Sequence, residues 1–281
     1  MPDETSTPPV ALTVAGFDPS GGAGVIADLK TFTAFGCFAT AAVTSLTFQN
    51  TTGVFGAVAQ TGEAVRRQAL AVVEDFRVAG MKTGMLPTGE IIREVARLLR
   101  ETPLGEIDAV VDPVVRSTSG YDLIDDDALD ALKRELLPLA RVITPNLPEA
   151  ERITGMKIAG EEDMRRAAAL MRGMGARAVL VKGGHLTGDA VDLLDDDGRV
   201  QLFRAPRVAS TSTHGTGCTL AAALAACLAR GLPLADAAET AKRFVSAAIR
   251  RAPALGRGHG PVRHDLRVRF TPEGVLIEES C

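Results

Sequence analysis

The stretch VALTVAGFDPSGGAGVIADLKTFTAFGCFATAAVTSLTF, residues 10–48, decides the fold class. Its first six residues, 10–15, are apolar and partly β-branched, which predicts a short strand. A glycine-rich loop follows, and then a helical pattern over about 24–35. Residues 38–48 are rich in Ala, Val, Thr and Phe and predict a second, buried strand. The order strand, helix, strand is typical of a parallel sheet covered by helices.

Patterns of strands and helices alternate along the rest of the chain. Thr88 is predicted to cap a helix whose apolar stripe includes Ile91 and Val95. Residues 190–194 and 200–203 flank an Asp-Asp-Asp-Gly turn and predict a hairpin. The other predicted helices span 63–75, 126–137, 161–174, 216–229 and 234–252, and the other strands span 78–81, 109–115, 141–144 and 178–181. This order predicts an α/β fold with a mostly parallel sheet and helices on both faces.

The chain is predicted to form one domain, since it has no long linker, repeat or low-complexity block. Residues 1–9 contain three prolines and predict a flexible tail. Residues 266–281 predict an added β-hairpin, for which the sequence indicates no function. The uncharged run 31–62 is interrupted by glycines and amides, and its apolar part is too short to cross a membrane. We interpret it as buried strand, and the non-helical stretches after the first strand as a small lid.

Composition excludes several classes of protein. The 281 residues include 31 basic and 35 acidic side chains, and 46% are hydrophobic, which excludes a mainly disordered chain. The net charge of −4 and an aromatic content of 4% argue against a nucleic-acid-binding surface. Four cysteines form no C-x-x-C pair, so no zinc knuckle is indicated. The acidic N-terminus is not followed by an apolar run, so we predict no signal peptide and a cytoplasmic location.

Polar and glycine-rich segments follow nearly every predicted strand. In open α/β sheets, ligands bind beyond the carboxyl ends of the strands. Glycines, carboxylates, an amide and lysines at those ends would suit an anionic ligand with a divalent cation. The segments are 15–24, Lys82-Thr-Gly-Met85, Asp112-Pro-Val114, Pro145-Asn-Leu-Pro-Glu149, Lys182-Gly-Gly-His185 and Thr211-Ser-Thr-His-Gly-Thr-Gly-Cys218.

The segment Gly215-Thr-Gly-Cys218 is the sharpest of these motifs. Its glycines let the backbone approach a ligand, and the helix that begins there directs free N–H groups at it. The helix behind, from Thr219 onward, is small and apolar on all sides, which predicts burial. A helix N-terminus also favours a thiolate, so the pKa of Cys218 is expected to be lowered. The alternative is an ordinary glycine loop with a packed small residue.

Other site classes are weaker matches. Residues 22–27 fit G-x-G-x-x-A, but the first predicted strand ends too early and no acidic residue lies between Asp28 and Glu63 to bind a ribose. No Walker P-loop is present. His214 with Cys218 as metal ligands, or His185 with Cys218 as a hydrolase pair, would each need partners that the sequence does not indicate.

Taken together, the motifs resemble a known family, the hydroxymethylpyrimidine/phosphomethylpyrimidine kinases of thiamine biosynthesis, within the ribokinase-like superfamily. The resemblance covers about residues 10–265 and rests on A-G-x-D-P-S-G-G-A-G-x-x-A-D-L-K at 15–30, Gln49-Asn-Thr, Gly84-Met-Leu, Asp112-Pro-Val, Thr144-Pro-Asn-Leu-Pro-Glu-Ala, Lys182-Gly-Gly-His and His214-Gly-Thr-Gly-Cys-Thr. It implies a three-layer αβα fold, ATP and Mg²⁺ as cofactors, and phosphorylation of 4-amino-5-hydroxymethyl-2-methylpyrimidine and of its monophosphate. Phe17 departs from the small or polar residue that relatives carry.

The resemblance also implies roles for individual residues. Cys218 would be the catalytic base, beside an anion hole formed by the backbone of Gly215, Thr216 and Gly217. Gln49, Asp28, Met85 and Val114 would contact the pyrimidine. Asn146 and Glu149 would organise Mg²⁺ through water, a role that suits hard oxygen donors. The residues implied to lie near ATP and its phosphates are Asp112, Lys182, Thr211 and Lys242.

Three functional hypotheses remain open from the sequence. The pyrimidine kinase leads, and a vitamin B6 kinase of the same superfamily and a non-catalytic ATP-binding regulator are the alternatives. The expected partners are small molecules, with neither nucleic acid nor membrane, and a homodimer is one oligomeric state that the sequence allows. The preferred acceptor, a monovalent-cation requirement and vitamin B6 side activity are not determined.

Overall fold

The structure is a computed structural model, and it describes residues 7–115, 124–184 and 188–278. Most of the predicted N-terminal tail, residues 1–6, therefore lies outside the described residues. So do His185 of the hypothetical hydrolase pair and the last three residues of the predicted C-terminal hairpin.

A nine-stranded sheet forms the centre of the molecule. Its strands are β1 (Val10–Phe17), β2 (Phe38–Asn50), β3 (Gly53–Ala59), β4 (Val78–Thr83), β5 (Ala109–Val111), β6 (Val142–Ile143), β7 (Ala178–Lys182), β8 (Ala190–Asp196) and β9 (Arg199–Ala205). The spatial order is β3-β2-β1-β4-β5-β6-β7-β8-β9. The six strands from β2 to β7 are parallel, while β3, β8 and β9 add antiparallel pairs at the two edges.

Helices cover both faces of this sheet, as the sequence predicts. They are α1 (Gly24–Ala34), α2 (Gly62–Val73), α3 (Gly89–Glu101), α4 (Asp126–Ala131), α5 (Leu147–Thr154), α6 (Glu161–Gly173), α7 (Thr216–Ala229) and α8 (Leu234–Arg250). Alternate strand residues face two separate apolar cores. Val110 packs with α1, α7 and α8, whereas the next residue, Val111, packs with α2 to α6. The molecule is therefore a three-layer αβα sandwich.

Several helices begin where the sequence places a cap. The Thr88 hydroxyl accepts a hydrogen bond from the Ile91 amide and starts α3, as predicted. Asn146 and Glu149 form a reciprocal capping box at the start of α5. The predicted helix 126–137 is shorter: α4 ends at Ala131 and continues as a π turn and a 3₁₀ turn. Pro138 in that 3₁₀ turn cannot donate to an α-helical ladder.

The prediction that β2 is a buried strand is wrong for its outer part. Phe38 is 49% exposed and Phe48 is 55% exposed. β2 lies only one strand from the sheet edge. The edge strand is β3, which the sequence did not predict; it pairs antiparallel with residues 45–50 of β2 and forms a hairpin with it. We call the paired residues 45–59 the flap. The flap presents one face to the interior of the molecule and the other to solvent.

The predicted C-terminal hairpin is present as β10 (Arg267–Thr271) and β11 (Gly274–Glu278). Its Phe270 ring lies 6.3 Å from the Phe35 ring, and the Arg230 guanidinium lies 4.2 Å above Phe270. The hairpin therefore extends the core that contains α8. Among the described helices, none combines the length and apolarity required to cross a membrane.

Candidate active site

A cavity of about 610 Å³ opens at the carboxyl ends of β1, β4, β5, β6 and β7. It lies where the strand order reverses, with β2 on one side of β1 and β4 on the other, which is the usual ligand site of such sheets. The predicted site residues in its wall are Gln49, Met85, Asp112, Val114, Asn146, Glu149, Lys182, Gly215, Thr216, Gly217, Cys218 and Lys242. The fold thus brings together residues from both ends of the chain.

The turn before α7 is held in a conformation that requires glycine. Gly215 has a φ of +78°, in the left-handed region, and a Cβ there would overlap the carbonyl oxygen of Gly22. The helix behind it is buried, as predicted, with Leu220 to Cys227 all nearly inaccessible. Its first N–H groups have no intrahelical acceptor and face the cavity. Such an arrangement on a rigid base could hold an anion. We call residues 215–218 the anion turn.

Asp18 ties the loop after β1 to this turn. Its carboxylate accepts hydrogen bonds from the Ser20 amide (2.8 Å), the Ser20 hydroxyl (2.7 Å) and the Ala23 amide (2.9 Å). The same group lies 2.8 Å from Nε2 of His214. Burial alone would raise the pKa of Asp18, but the hydrogen bonds from His214 and Ser20 outweigh it and hold the pKa below its usual range. Both residues belong to motifs in the sequence, but the sequence does not indicate that they pair.

Cys218 lies in the cavity wall and is a half-buried residue. The expectation of a lowered pKa is wrong: burial raises the pKa of the Cys218 thiol to about 11. The Lys82 ammonium lowers it, but the carboxylates of Asp28 and Asp112 act in the opposite direction. Loss of solvation therefore outweighs the attraction of Lys82 for a thiolate, and the resting group is a neutral thiol.

Asp28 does not line the cavity, contrary to its predicted contact with substrate. Its carboxylate is fully buried, 2.8 and 3.0 Å from Nζ of Lys82, and it accepts a 2.6 Å hydrogen bond from the Thr13 hydroxyl. Burial alone would lower the pKa of Lys82, but the carboxylates of Asp28 and Asp112 outweigh it and raise the pKa, so the ammonium keeps its charge. The pair is a buried support beneath the site. Lys82 lies in a motif that the sequence shows, but its ion pair could not be read from that motif.

A second ion pair lies directly under the anion turn. Lys182 Nζ is 2.9 Å from Oδ1 of Asp112, which also accepts a 3.0 Å hydrogen bond from the Thr144 hydroxyl. A Cβ on Gly217 would lie 3.1 Å from the same Nζ, so the glycine lets the turn approach the ammonium closely. Lys182 is therefore placed to attract an anion bound at the turn.

Glu149 is buried between this pair and the start of α5. Its Oε2 accepts the Asn146 amide at 2.7 Å, and the Asn146 side chain accepts the Glu149 amide at 2.9 Å. Burial raises the pKa of Glu149 to about 7; Lys182 lowers it and Asp112 raises it. A cation entering beside this carboxyl would favour its ionised form.

A magnesium ion would fit between Asp112 and Glu149 only together with a ligand that supplies further oxygen atoms. Among the described residues, no group of three or more His, Cys, Asp and Glu side chains could hold a metal by itself. Mg²⁺ typically keeps several waters and binds one or two carboxylates together with phosphate oxygens. Asp112 and Glu149, next to an anion turn, match that donor set.

The remaining two predicted phosphate ligands are placed differently. Lys242 lines the cavity, but its ammonium is 2.8 Å from the Asp192 carboxylate, which also accepts the Gly183 amide. It therefore braces β8 against α8. Thr211 is exposed and outside the cavity wall, whereas Thr213, two residues on, lines it. The chain turns at 211–213, so the polar side chain that reaches the cavity is the later one.

The inner and outer ends of the cavity differ in character. We call the end next to the flap the inner end. It joins the Gln49 amide to the apolar side chains of Met85, Val114 and Val54, the last of which pairs with Gln49 across the flap. We call the end next to α7 and α8 the outer end, and its apolar side chains are Val208, Leu220, Val245 and Ile249. Val54 and these outer residues could not be identified from the sequence, because apolar residues in strands and helices usually belong to the hydrophobic core. One end therefore suits a flat polar ring and the other an apolar face of a second ligand.

The chain is similar in sequence to known kinases. The family described as phosphomethylpyrimidine kinase matches residues 18–263. A hydroxymethylpyrimidine/phosphomethylpyrimidine kinase of Streptomyces coelicolor is 48% identical over 263 residues, which cover 94% of this chain and 97% of that protein. The thiamine biosynthesis bifunctional protein ThiED of Geobacter sulfurreducens is 50% identical over 256 residues. That alignment covers 91% of this chain and 52% of the bifunctional protein, so the chain spans about half of its length.

The fold is likewise similar to that of a solved kinase. An ADP complex of Bacillus subtilis pyridoxal kinase superposes with a TM-score of 0.84 at 35% identity, covering 92% of this chain and 98% of that one.

Proposed function

This chain belongs to the phosphomethylpyrimidine kinase family, and from that premise we propose how its ribokinase-like fold performs the reaction. The enzyme transfers a phosphoryl group from ATP to the hydroxymethyl group of 4-amino-5-hydroxymethyl-2-methylpyrimidine. It then phosphorylates the monophosphate, giving the pyrimidine pyrophosphate used in thiamine synthesis. The supporting observation is that the Gln49 amide, the anion turn and Cys218 share one cavity.

The pyrimidine lies at the inner end of the cavity. A side-chain amide offers a donor and an acceptor, so Gln49 pairs with a ring nitrogen and the adjacent amino group. Met85 and Val114 pack against the ring, together with Val54 from the flap. The hydroxymethyl group then points toward Cys218, while the apolar outer end receives the adenine of ATP.

Phosphoryl transfer depends on positioning and on neutralising charge rather than on covalent chemistry of the protein. The Gly215–Cys218 backbone donates N–H groups to the equatorial oxygens of the moving phosphoryl group. Lys182, held by Asp112, adds positive charge beneath the turn. These groups are rigid before ATP binds, so little reorganisation is needed during transfer.

Cys218 accepts the proton of the attacking hydroxyl. Because its pKa is raised to about 11, the thiol is mostly protonated at neutral pH. Only the minor thiolate can accept this proton. We propose that the transfer is late, after the oxygen has begun to bond to phosphorus and its proton has become more acidic. Lys82, buried below, stabilises the thiolate electrostatically.

Glu149 and Asp112 are the residues that would hold Mg²⁺ beside the phosphates, and Asn146 orients Glu149 through the capping box. When bound, the ion would neutralise charge on the phosphate oxygens. Glu149 would be ionised beside such a cation.

A pyridoxal kinase activity is the second candidate. The observation that favours it is the 35% identity and close superposition with the Bacillus subtilis pyridoxal kinase. Both acceptors are heteroaromatic rings with a primary alcohol, so the same anion turn would serve either one.

The proposal includes three further predictions. They are a cytoplasmic location, a homodimer, and a single kinase domain formed by residues 10–265.

The test is an ADP-release assay with ATP and three acceptors: the pyrimidine alcohol, its monophosphate and pyridoxal. We expect release with both pyrimidines and a lower kcat/KM with pyridoxal. Higher kcat/KM with pyridoxal would replace the pyrimidine assignment by the vitamin B6 one. Nucleotide binding without ADP release for any acceptor would support the non-catalytic regulator instead.

Cys218→Ala is the variant that tests the proposed base. Without a proton acceptor we expect kcat to fall by about a hundredfold or more. Affinity for the pyrimidine, measured by calorimetry, should remain near that of the wild type, since Gln49 and the apolar wall are unchanged. Normal turnover in this variant would exclude Cys218 as the base.

A further inference from the structure

The tip of the flap contacts a distant loop near the C-terminus. Thr51 is the first residue of the turn between β2 and β3, and its carbonyl oxygen accepts the His259 amide at 2.8 Å. Its hydroxyl oxygen accepts two further backbone amides, Arg257 at 3.1 Å and Gly258 at 3.3 Å. Three bonds from one loop thus converge on a single threonine. We call Thr51 together with residues 256–259 the latch.

The loop is shaped around this side chain. Gly256 has a φ of +85°, and a Cβ there would overlap the side chain of Thr51. A Cβ on Gly258 would overlap the Thr51 carbonyl group. Ala254, just before, is one of two described non-glycine residues with positive φ, at 51°. A backbone held in such conformations indicates a specific fit and not a chance contact.

The far end of the same loop is fixed to the anion turn. The Gly260 carbonyl accepts the His214 amide at 3.1 Å, and His214 pairs with Pro261 as an isolated bridge. Val262 is buried, and the Arg263 amide bonds to the Ala248 carbonyl of α8 at 3.0 Å. The loop is therefore anchored next to the residue that precedes Gly215, and it reaches from there to the flap.

The flap itself has little other support at its tip. Gln49 pairs with Val54, and Asn50 with Gly53, immediately before the turn. The neighbouring Phe48 and Phe55 are 55% and 68% exposed, so they add little packing against the body of the protein. A two-stranded ribbon with few buried contacts is only marginally stable alone. The position of Gln49 therefore depends on whatever holds the turn.

We propose that Thr51 is a positioning residue that holds Gln49 against the pyrimidine by docking the flap on the loop next to the anion turn. The inference rests on the proposed function for the identity of the acceptor. Because the loop keeps its anchor at His214 and Val262, loss of the Thr51 bonds releases the flap and leaves the anion turn in place. The effect is on acceptor binding and not on phosphoryl transfer.

The test compares Thr51→Val, which keeps the shape but loses the acceptor oxygen, with Thr51→Ser, which retains it. Thr52→Val is the matched control, since within the described part of the chain the Thr52 hydroxyl donates to Asn50 of the same turn and not to the loop. In Thr51→Val we expect the KM for the pyrimidine alcohol to rise about fivefold, as two modest hydrogen bonds are lost. The kcat and the KM for ATP should stay within twofold, and Thr51→Ser and Thr52→Val should resemble the wild type.

Hydrogen exchange of the wild type and Thr51→Val separates the latch from the activity. We expect the amides of Arg257 and Gly258 to exchange faster in the variant. An unchanged pyrimidine KM in Thr51→Val would overturn the proposal. A lower kcat at unchanged KM would overturn it too, because that result indicates only a smaller fraction of folded protein. If the wild type phosphorylates no pyrimidine, the proposed function fails. The latch is tested separately: equal exchange rates of the Arg257 and Gly258 amides in wild type and Thr51→Val would reject it.

Discussion

Single residues in this site act through pairs of buried charges. Two ion pairs, Lys82–Asp28 and Lys182–Asp112, lie beneath the anion turn and beside Cys218. An unpaired charge at such depth would be costly, so each carboxylate keeps its lysine charged. Burial raises the pKa of Glu149 to about 7, because Lys182 offsets the loss of solvation only in part and Asp112 opposes it.

Glu149→Gln tests this difference through stability. The pKa of Glu149 is raised to about 7 in the folded protein, so its stabilising proton is fully bound below the unfolded value near 4.5 and is lost as pH rises through 7. Glutamine cannot lose a proton and still completes a capping box. We therefore expect the variant to gain stability relative to wild type between pH 5 and pH 8, by on the order of 2–3 kcal/mol.

Urea unfolding at several pH values measures this gain. Glu162→Gln, an exposed carboxyl on α6, is the control and should show no such trend. A stability difference for Glu149→Gln that is constant with pH would contradict the prediction.

Gln49→Ala tests recognition of the pyrimidine. Removing the amide leaves the ring without its paired donor and acceptor, so we expect the KM for the pyrimidine to rise roughly tenfold. The KM for ATP should be near normal, because the outer end of the cavity is unchanged. Steady-state kinetics measures both constants. A parallel rise in the KM for ATP would show that the substitution disturbs the whole cavity and not only recognition of the pyrimidine.

At the scale of elements, function is concentrated where strands end and helices begin. Parallel strands direct their carboxyl ends to one edge, and short loops there supply the site. The loop after β1 and the turn before α7 come from opposite ends of the chain and are joined by Asp18 and His214. Gly215 permits their close approach, since a Cβ at this position would overlap the Gly22 carbonyl oxygen.

Gly215→Ala is therefore expected to disrupt the turn. Alanine at a φ of +78° is strained, and its Cβ would also displace residue 22. We expect a loss of stability of about 1–3 kcal/mol and a fall in kcat of about a hundredfold. Thermal unfolding and kinetics measure the two effects.

Gly231→Ala is the matched control. Gly231 has a similar φ of +82°, but no described atom lies within 4 Å of where its Cβ would be. It should lose about 1 kcal/mol of stability and keep its kcat. Equal losses of kcat in the two variants would show that turnover does not depend on the geometry of the turn at Gly215.

At the scale of the whole molecule, the β2–β3 edge of the central sheet and the separate C-terminal hairpin have different roles. The β2–β3 edge contributes Gln49 and Val54 to the cavity. The C-terminal hairpin instead extends the core beneath α8, through Phe270, Phe35 and Arg230. This separation predicts that the hairpin stabilises the protein without shaping the site.

Phe270→Ala tests that role. Loss of a half-buried ring and its stacked guanidinium is expected to lower the free energy of unfolding by about 1–3 kcal/mol. KM values for both substrates should stay within twofold. Phe55→Ala, at a ring that is 68% exposed, should leave stability nearly unchanged. A rise in the KM for ATP in Phe270→Ala would connect the hairpin to the site.

The local pattern of the chain was enough to predict the layers, most helix limits and the strand-end segments that meet in the cavity. Periodicity, caps and glycines act within a few residues, so they can be read along the sequence. The edge strand β3 escaped because its glycine- and alanine-rich residues, 53–59, have a weak strand pattern.

Partners far apart along the chain were beyond that reasoning. Asp28 with Lys82, Asp18 with His214, and Thr51 with residues 257–259 are separated by 54 residues or more. The protonation of Cys218 belongs to the same class, since it follows from how deeply the folded chain surrounds the thiol. Sequence alone determined most of the polar groups that reach the site, because they lie in short segments directly after strands and before helices. Only tertiary structure decided which of them are paired, buried or exposed to a ligand, because solvation and Coulomb energies depend on distances in space.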